Sequence, residues 1–82
     1  MQLSYDPCRN IAYLRLREPM GVQVETIRLS DEVNVDLAPD GTVYGIELLN
    51  ANEQLRGADD GRLIVIDELG GSRVEVPLPD VA

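Results

Sequence analysis

The chain has 82 residues and carries fifteen Asp and Glu against seven Arg, with no His, for a net charge of −8. That length sets the expectation of one domain over residues 1–82, burying only about 60–65% of its unfolded surface around a small core. The acidic balance argues against nucleic acid, whose phosphates need cationic partners, and the absence of His removes Ser-His-Asp triads and His-containing zinc sites.

The apolar residues are strand formers by type: nine Val, eleven Leu and five Ile stand beside three Tyr, with neither Phe nor Trp. Leu3 and Tyr5 open the chain at period two, and Asp6-Pro7-Cys8-Arg9-Asn10 follows as a turn in which Asp6 is read as closing its own backbone. Ile11 to Arg17 resumes the alternation, with Ala12, Leu14 and Leu16 as the apolar row and Ile11, Tyr13, Arg15 and Arg17 as a mixed, half-exposed one. Glu18-Pro19-Met20-Gly21 breaks the pattern. Val22 and Val24, then Ile27 and Leu29, predict a third strand with a bulge near Glu25-Thr26 where the phase changes.

Val33 to Asn50 is the most legible stretch. Val33, Val35 and Leu37 share one face of a strand, Asp40-Gly41 behind Pro39 predicts a three- to five-residue hairpin loop, and Thr42 to Leu49 returns with apolar residues on both faces, as a central strand would. Gly45 within that strand implies a bulge or the close approach of an aromatic ring or helix. Asn50 with Glu53 resembles a capping box, and Gly57 offers a left-handed stop, so a helix of about two turns is expected near residues 51–56. Ala58 to Gly61 reads as a loop. Leu63 to Leu69 and Arg73 to Val76 then predict a hairpin closed by Gly70-Gly71, with a helix over 62–69 as the alternative for the first half. Pro77 and Pro79 make the last strand an edge and leave a loose tail at 79–82. The predicted class is mainly β (small α+β): an antiparallel meander of six to seven short strands built from hairpins, with one short helix.

No apolar run approaches the ~20 residues that span a bilayer, and no basic-then-apolar start resembles a signal peptide, so no membrane role and a cytoplasmic location are expected. Cys8 is alone, which permits no intramolecular disulfide, and it lacks a His base, so a packed or turn-exposed thiol is the reading. Arg9, Arg15 and Arg17 read as solvated strand charges. Tyr5 and Tyr13 read as core aromatics with hydroxyls at the rim.

Tyr5-Asp6-Pro7, the run Asn10-Ile11-Ala12-Tyr13-Leu14-Arg15-Leu16, then Val35-Asp36, Asp40-Gly41 and Gly45-Ile46-Glu47-Leu48-Leu49 resemble the small bacterial proteins of domain of unknown function 2283. The resemblance covers about residues 1–52. It implies a compact β-rich domain without an established activity. Relatives that sit beside small toxin-like proteins further imply an antitoxin-type role.

Chemistry, if present, would have to come from carboxylates: Asp6, Asp36, Asp40, Glu47, Asp59 and Asp60. Asp36 and Glu47 can approach across the central hairpin, and with Asp6 they are the weak candidates for a divalent metal or a hydrolase. Asp40, Gly41, Gly45, Gly70 and Gly71 are better explained by turns and backbone shape. No catalytic residue and no cofactor is assigned. The expected function is a small acidic interaction module, non-catalytic and self-associating as a dimer, since open sheet edges and excess aliphatic surface call for a partner; a basic protein is the second candidate partner.

Overall fold

The computed structural model describes residues 1–18 and 20–80; Pro19, in the break after the second strand, and positions 81 and 82 of the tail lie outside the described residues. Among the described residues seven strands form: β1 (Gln2–Asp6), β2 (Ile11–Arg15), β3 (Glu25–Arg28), β4 (Val33–Leu37), β5 (Val43–Leu49), β6 (Arg62–Ile66) and β7 (Arg73–Pro77), with one α-helix, α1 (Ala51–Arg56), after β5. β1 to β5 make one antiparallel sheet in the order β1-β2-β5-β4-β3, and β6 and β7 make a separate hairpin. The mainly β, hairpin-built architecture is the one expected. Its order departs from a simple meander because β2 borders β5 instead of β3. β5 has covered side chains on both faces and gains from two flanking strands, whereas all four residues of β3 are exposed and suit an edge.

Residues directly opposite one another share a face. The pairs Leu3 with Leu14, Leu14 with Ile46, Ile46 with Val35 and Val35 with Ile27 therefore draw an aliphatic row across all five strands. Tyr5, Ala12, Leu48 and Val33 form the next row on that side. The opposite face is polar, carrying Ser4, Tyr13, Glu47, Asn34 and Arg28 in one row and Gln2, Arg15, Gly45, Asp36 and Thr26 in another. Burial is shallow throughout. Among the described residues the buried apolar set is Ala12, Ala38 and Ala51, and no large side chain is fully buried. The molecule is a slab of 37 × 34 × 21 Å with a radius of gyration of 14.4 Å; a compact chain of this length has about 12 Å.

Several boundaries move from their expected places. β2 ends at Arg15, since the N–H groups of Leu16 and Arg17 both turn to the carbonyl of Tyr44, at 2.9 and 3.3 Å. Val22 and Val24 stay outside β3, which starts at Glu25 with regular pairing and no bulge. The irregularity lies instead between β4 and β5, where Asp36 faces Gly45 but Leu37 faces Val43, so Tyr44 is the extra residue. β6 is a strand, not a helix, and stops at Ile66 because Asp67 folds the following backbone onto itself: its Oδ1 accepts the N–H of Leu69 (3.0 Å) and of Gly70 (2.9 Å). The loop from Asp67 to Ser72 is closed by the Asp67 N–H on the Ser72 carbonyl at 2.8 Å, and it takes a left-handed residue at Gly71 (φ 79°) but not at Gly70.

The helix occupies its expected span with different ends. Asn50 sits at φ 54° and makes no side-chain bond to the helix backbone, so the capping box is reduced to a 2.9 Å contact between Asn50 Nδ2 and Glu53 Oε2. Gly57 stays right-handed at φ −70°, and the left-handed positions fall on Asp59, Asp60 and Gly61 in the turn Asp59–Gly61. Of the segment expected to be loose, Pro79 and Asp80 are tied down: Arg56 donates to the carbonyls of Leu78 (3.3 Å) and Pro79 (2.8 Å) and pairs with Asp80 at 3.1 Å. No helix of the described residues is long and apolar enough to cross a membrane.

Candidate functional site

The polar face of the sheet gathers the most side-chain chemistry. β5 leaves a bare patch at Gly45, and the Tyr13 ring of β2 lies over it so closely that a Cβ at Gly45 would collide with the ring and hydroxyl. The close approach read from Gly45 is thus an aromatic ring, next to a bulge at Tyr44. Lying across β5 brings the Tyr13 hydroxyl to β4, where it donates to Asp36 Oδ2 at 2.6 Å, while Thr26 from β3 donates to Asp36 Oδ1 at 2.6 Å. One row further on, Asn34 Nδ2 donates to Glu47 Oε1 at 2.8 Å, and Asn34 Oδ1 is enclosed without a partner.

The hydrogen bond to Asp36 first, then burial and the charges of Asp36 and Glu47, push the Tyr13 phenol up to about 12 from its ordinary 10.0. A phenol held neutral that far is a donor at neutral pH and neither a base nor a nucleophile. Asp36 in turn has a donor on each oxygen. The arrangement is a strut joining β2, β4 and β3.

A second cluster occupies the corner where the β1–β2 turn meets α1. Asp6 closes its turn as expected, with Oδ1 accepting the N–H groups of Cys8 (3.0 Å) and Arg9 (3.1 Å). Asn10, left-handed at φ 60°, accepts the Asn52 N–H on its Oδ1 at 2.7 Å. Asn52 donates to the Pro7 carbonyl at 3.0 Å and accepts the Tyr5 hydroxyl at 2.5 Å. Asn50 receives Asn10 Nδ2 at 3.3 Å and donates to Glu32 Oε2 at 3.1 Å. The three Asn were not among the candidate site residues. Asn tolerance of φ > 0 is the signal that points to Asn10 and Asn50.

Of the three carboxylates considered for a metal or a hydrolase, Asp36 and Glu47 share the polar face beside Tyr13, and Asp6 closes its own turn while lining a depression with Tyr13 and Glu47. Among the described residues no group of three or more Cys, Asp or Glu is placed to hold a metal ion. Depressions of about 240 Å³ beside Asp6, Tyr13 and Glu47, about 410 Å³ beside Gln23, Glu25 and Ala38, and about 110 Å³ beside Tyr13, Arg15, Arg17 and Asp36 lie at the surface, and none of the three brings Asp36 and Glu47 together. Asp40 is a turn residue: bonds from the Thr42 hydroxyl and from the Thr42 N–H, at 2.9 Å, hold its carboxyl below the usual range. Cys8 is exposed in the first turn. Arg9, Arg15 and Arg28 pair with Asp6, Glu18 and Asp31 close to them in the chain, and Arg17 donates to the Val43 carbonyl.

A family model described as a protein of unknown function, DUF2283, matches residues 2–52. The chain belongs to this family. No curated protein and no solved structure matches it. The DUF2283 stretch takes in β1 to β5, the strut under Tyr13 and the asparagine corner as far as Asn52, and the β6–β7 hairpin lies outside the matched residues.

Proposed function

We propose that this DUF2283 protein is a small acidic interaction module, non-catalytic and self-associating. The observation that carries the reading is the missing core: the central strands present Leu14, Val35 and Ile46 on one face, all only half-buried, and no large side chain is fully buried anywhere among the described residues. A domain this small does not leave its aliphatic face in water without loss of stability, and a second copy is the partner always present. The polar face supports the non-catalytic half of the reading, because both Asp36 oxygens already accept, from Tyr13 and Thr26, and Glu47 accepts from Asn34. With the aliphatic face covered, the surface left outside is acidic and suits a basic protein, such as a small toxin-like partner.

Sedimentation equilibrium at micromolar concentration tests the reading. A mass twice the 9.0 kDa of one chain is expected, and a clean monomer would refute self-association. Magnesium, manganese or calcium should leave the melting temperature unchanged; a rise of several degrees would reinstate Asp6, Asp36 and Glu47 as metal ligands.

A further inference from the structure

The β6–β7 hairpin has two unlike sides. Leu63 opposite Val76 and Val65 opposite Val74 share one, while Ile64, Ile66, Arg73 and Glu75 share the other. On the second side Arg62 and Arg73 both reach the Glu75 carboxylate, at 3.6 and 3.8 Å. The first side is bare: Leu63, Val65, Val74 and Val76 are 43, 53, 58 and 43% exposed. An isolated two-stranded hairpin is marginal in water. Among the described residues its foot is held by the Leu78 N–H on the Gly61 carbonyl (3.0 Å), by Arg56, and by Leu63 and Ile64 near Leu3 and Leu55. One chain therefore carries two apolar faces that its described residues leave only partly covered.

The exposed area matches what a second copy would cover. The chain exposes 5987 Å², against about 4,900 Å² for a compact monomer of its mass. The excess of about 1,100 Å² is what a chain gives up in a stable dimer, where each partner buries about 800 Å² or more. A second copy supplies both faces, and in a two-fold arrangement each face of one copy would meet the other kind of face on its partner. The apolar side of the hairpin and the row through Ile46, Val35 and Ile27 hold no charged residue, and the carboxylate next to them on that face is Glu25, at the β3 edge opposite Leu37.

We propose that the β6–β7 hairpin is a dimerisation arm: the Leu63, Val65, Val74 and Val76 side of each copy lies on the aliphatic face of the other copy's five-stranded sheet, over Ile46, Val35 and Ile27. This rests on the self-association reading and names its surface. The test compares full-length wild type with Val65→Glu/Val74→Glu and with Ile66→Glu, which alters the opposite side of the same arm, by sedimentation and circular dichroism. The double variant should associate about a hundredfold more weakly, since two carboxylates would be buried unpaired, and keep its β signature. Ile66→Glu should remain dimeric. A dimeric double variant would overturn the arm and leave self-association standing, whereas a monomeric wild type would overturn both. Isotope-filtered spectra of a mixed labelled and unlabelled wild-type dimer decide the matter if the double variant fails to fold. Contacts from Val65 and Val74 methyls to Val35 and Ile46 of the other copy are expected, and intermolecular contacts confined to other residues would refute the arm.

Discussion

Tyr13 does two separable jobs on the polar face, and each predicts a measurement. Its hydroxyl is bonded to Asp36 only while protonated, and folding raises its pKa from 10.0 to about 12. The stability this contributes is complete below pH 10, where the phenol is neutral folded or unfolded, and is lost as pH rises from 10 to 12, where the unfolded chain ionises first. Tyr13→Phe should thus cost about 1–2 kcal/mol near neutral pH, and its melting temperature should converge on that of wild type across that alkaline window; a gap independent of pH would refute the account. The ring's job is to fill the space above Gly45. Gly45→Ala should cost about 1–3 kcal/mol by urea unfolding, from overpacking, and much less in a Tyr13→Ala background. Equal costs in both backgrounds would show that the ring and the glycine are not in contact. That something lies close to Gly45 is legible in the sequence, because a glycine amid apolar residues of a central strand leaves a gap. Which residue fills it is not, because β2 and β5 are joined only through the distant return of the chain.

At the scale of elements, alternation and turn residues give the strands their places, and side chains that reach back onto the backbone give them their ends. Val33 to Leu49 is read almost residue for residue because one short loop joins its strands, with Gly41 at φ 87° and Asp40 holding Thr42. The end of β6 is missed because Asp67 looks like one more strand residue until its carboxylate is seen to take the N–H groups of Leu69 and Gly70. The corner under α1 is hidden for a related reason: Asn10 and Asn52 are forty-two residues apart and meet only once β1, β2 and β5 are assembled. A six-residue helix is too short to stand by its own propensity, so this corner must anchor it. Asn52→Leu leaves the Tyr5 hydroxyl and the Pro7 carbonyl without their partner and should cost about 1–3 kcal/mol. Hydrogen exchange should quicken in α1 while the amides shared by β4 and β5 keep their protection. Uniform loss across the sheet would mean that the corner supports the whole sheet and not the helix.

For the whole molecule, the balance between an aliphatic face and a strongly acidic remainder sets how assembly responds to salt. Two copies that meet through their aliphatic rows still bring together net charges of −8 each, so their association works against a repulsion carried by the surrounding carboxylates. Added salt screens that repulsion, since the Debye length shrinks from about 10 Å at 0.1 M to about 3 Å at 1 M, and leaves apolar burial intact. The self-associated form should accordingly tighten as sodium chloride is raised, and its melting temperature should climb with protein concentration, because only the folded state binds a second copy. A complex with a basic protein has the opposite sign: its attraction is electrostatic, and the same salt should loosen it. Sedimentation across a salt series therefore separates the two kinds of partner. A homodimer that dissociates as salt rises would place its interface on charged pairs and remove the aliphatic face from the account.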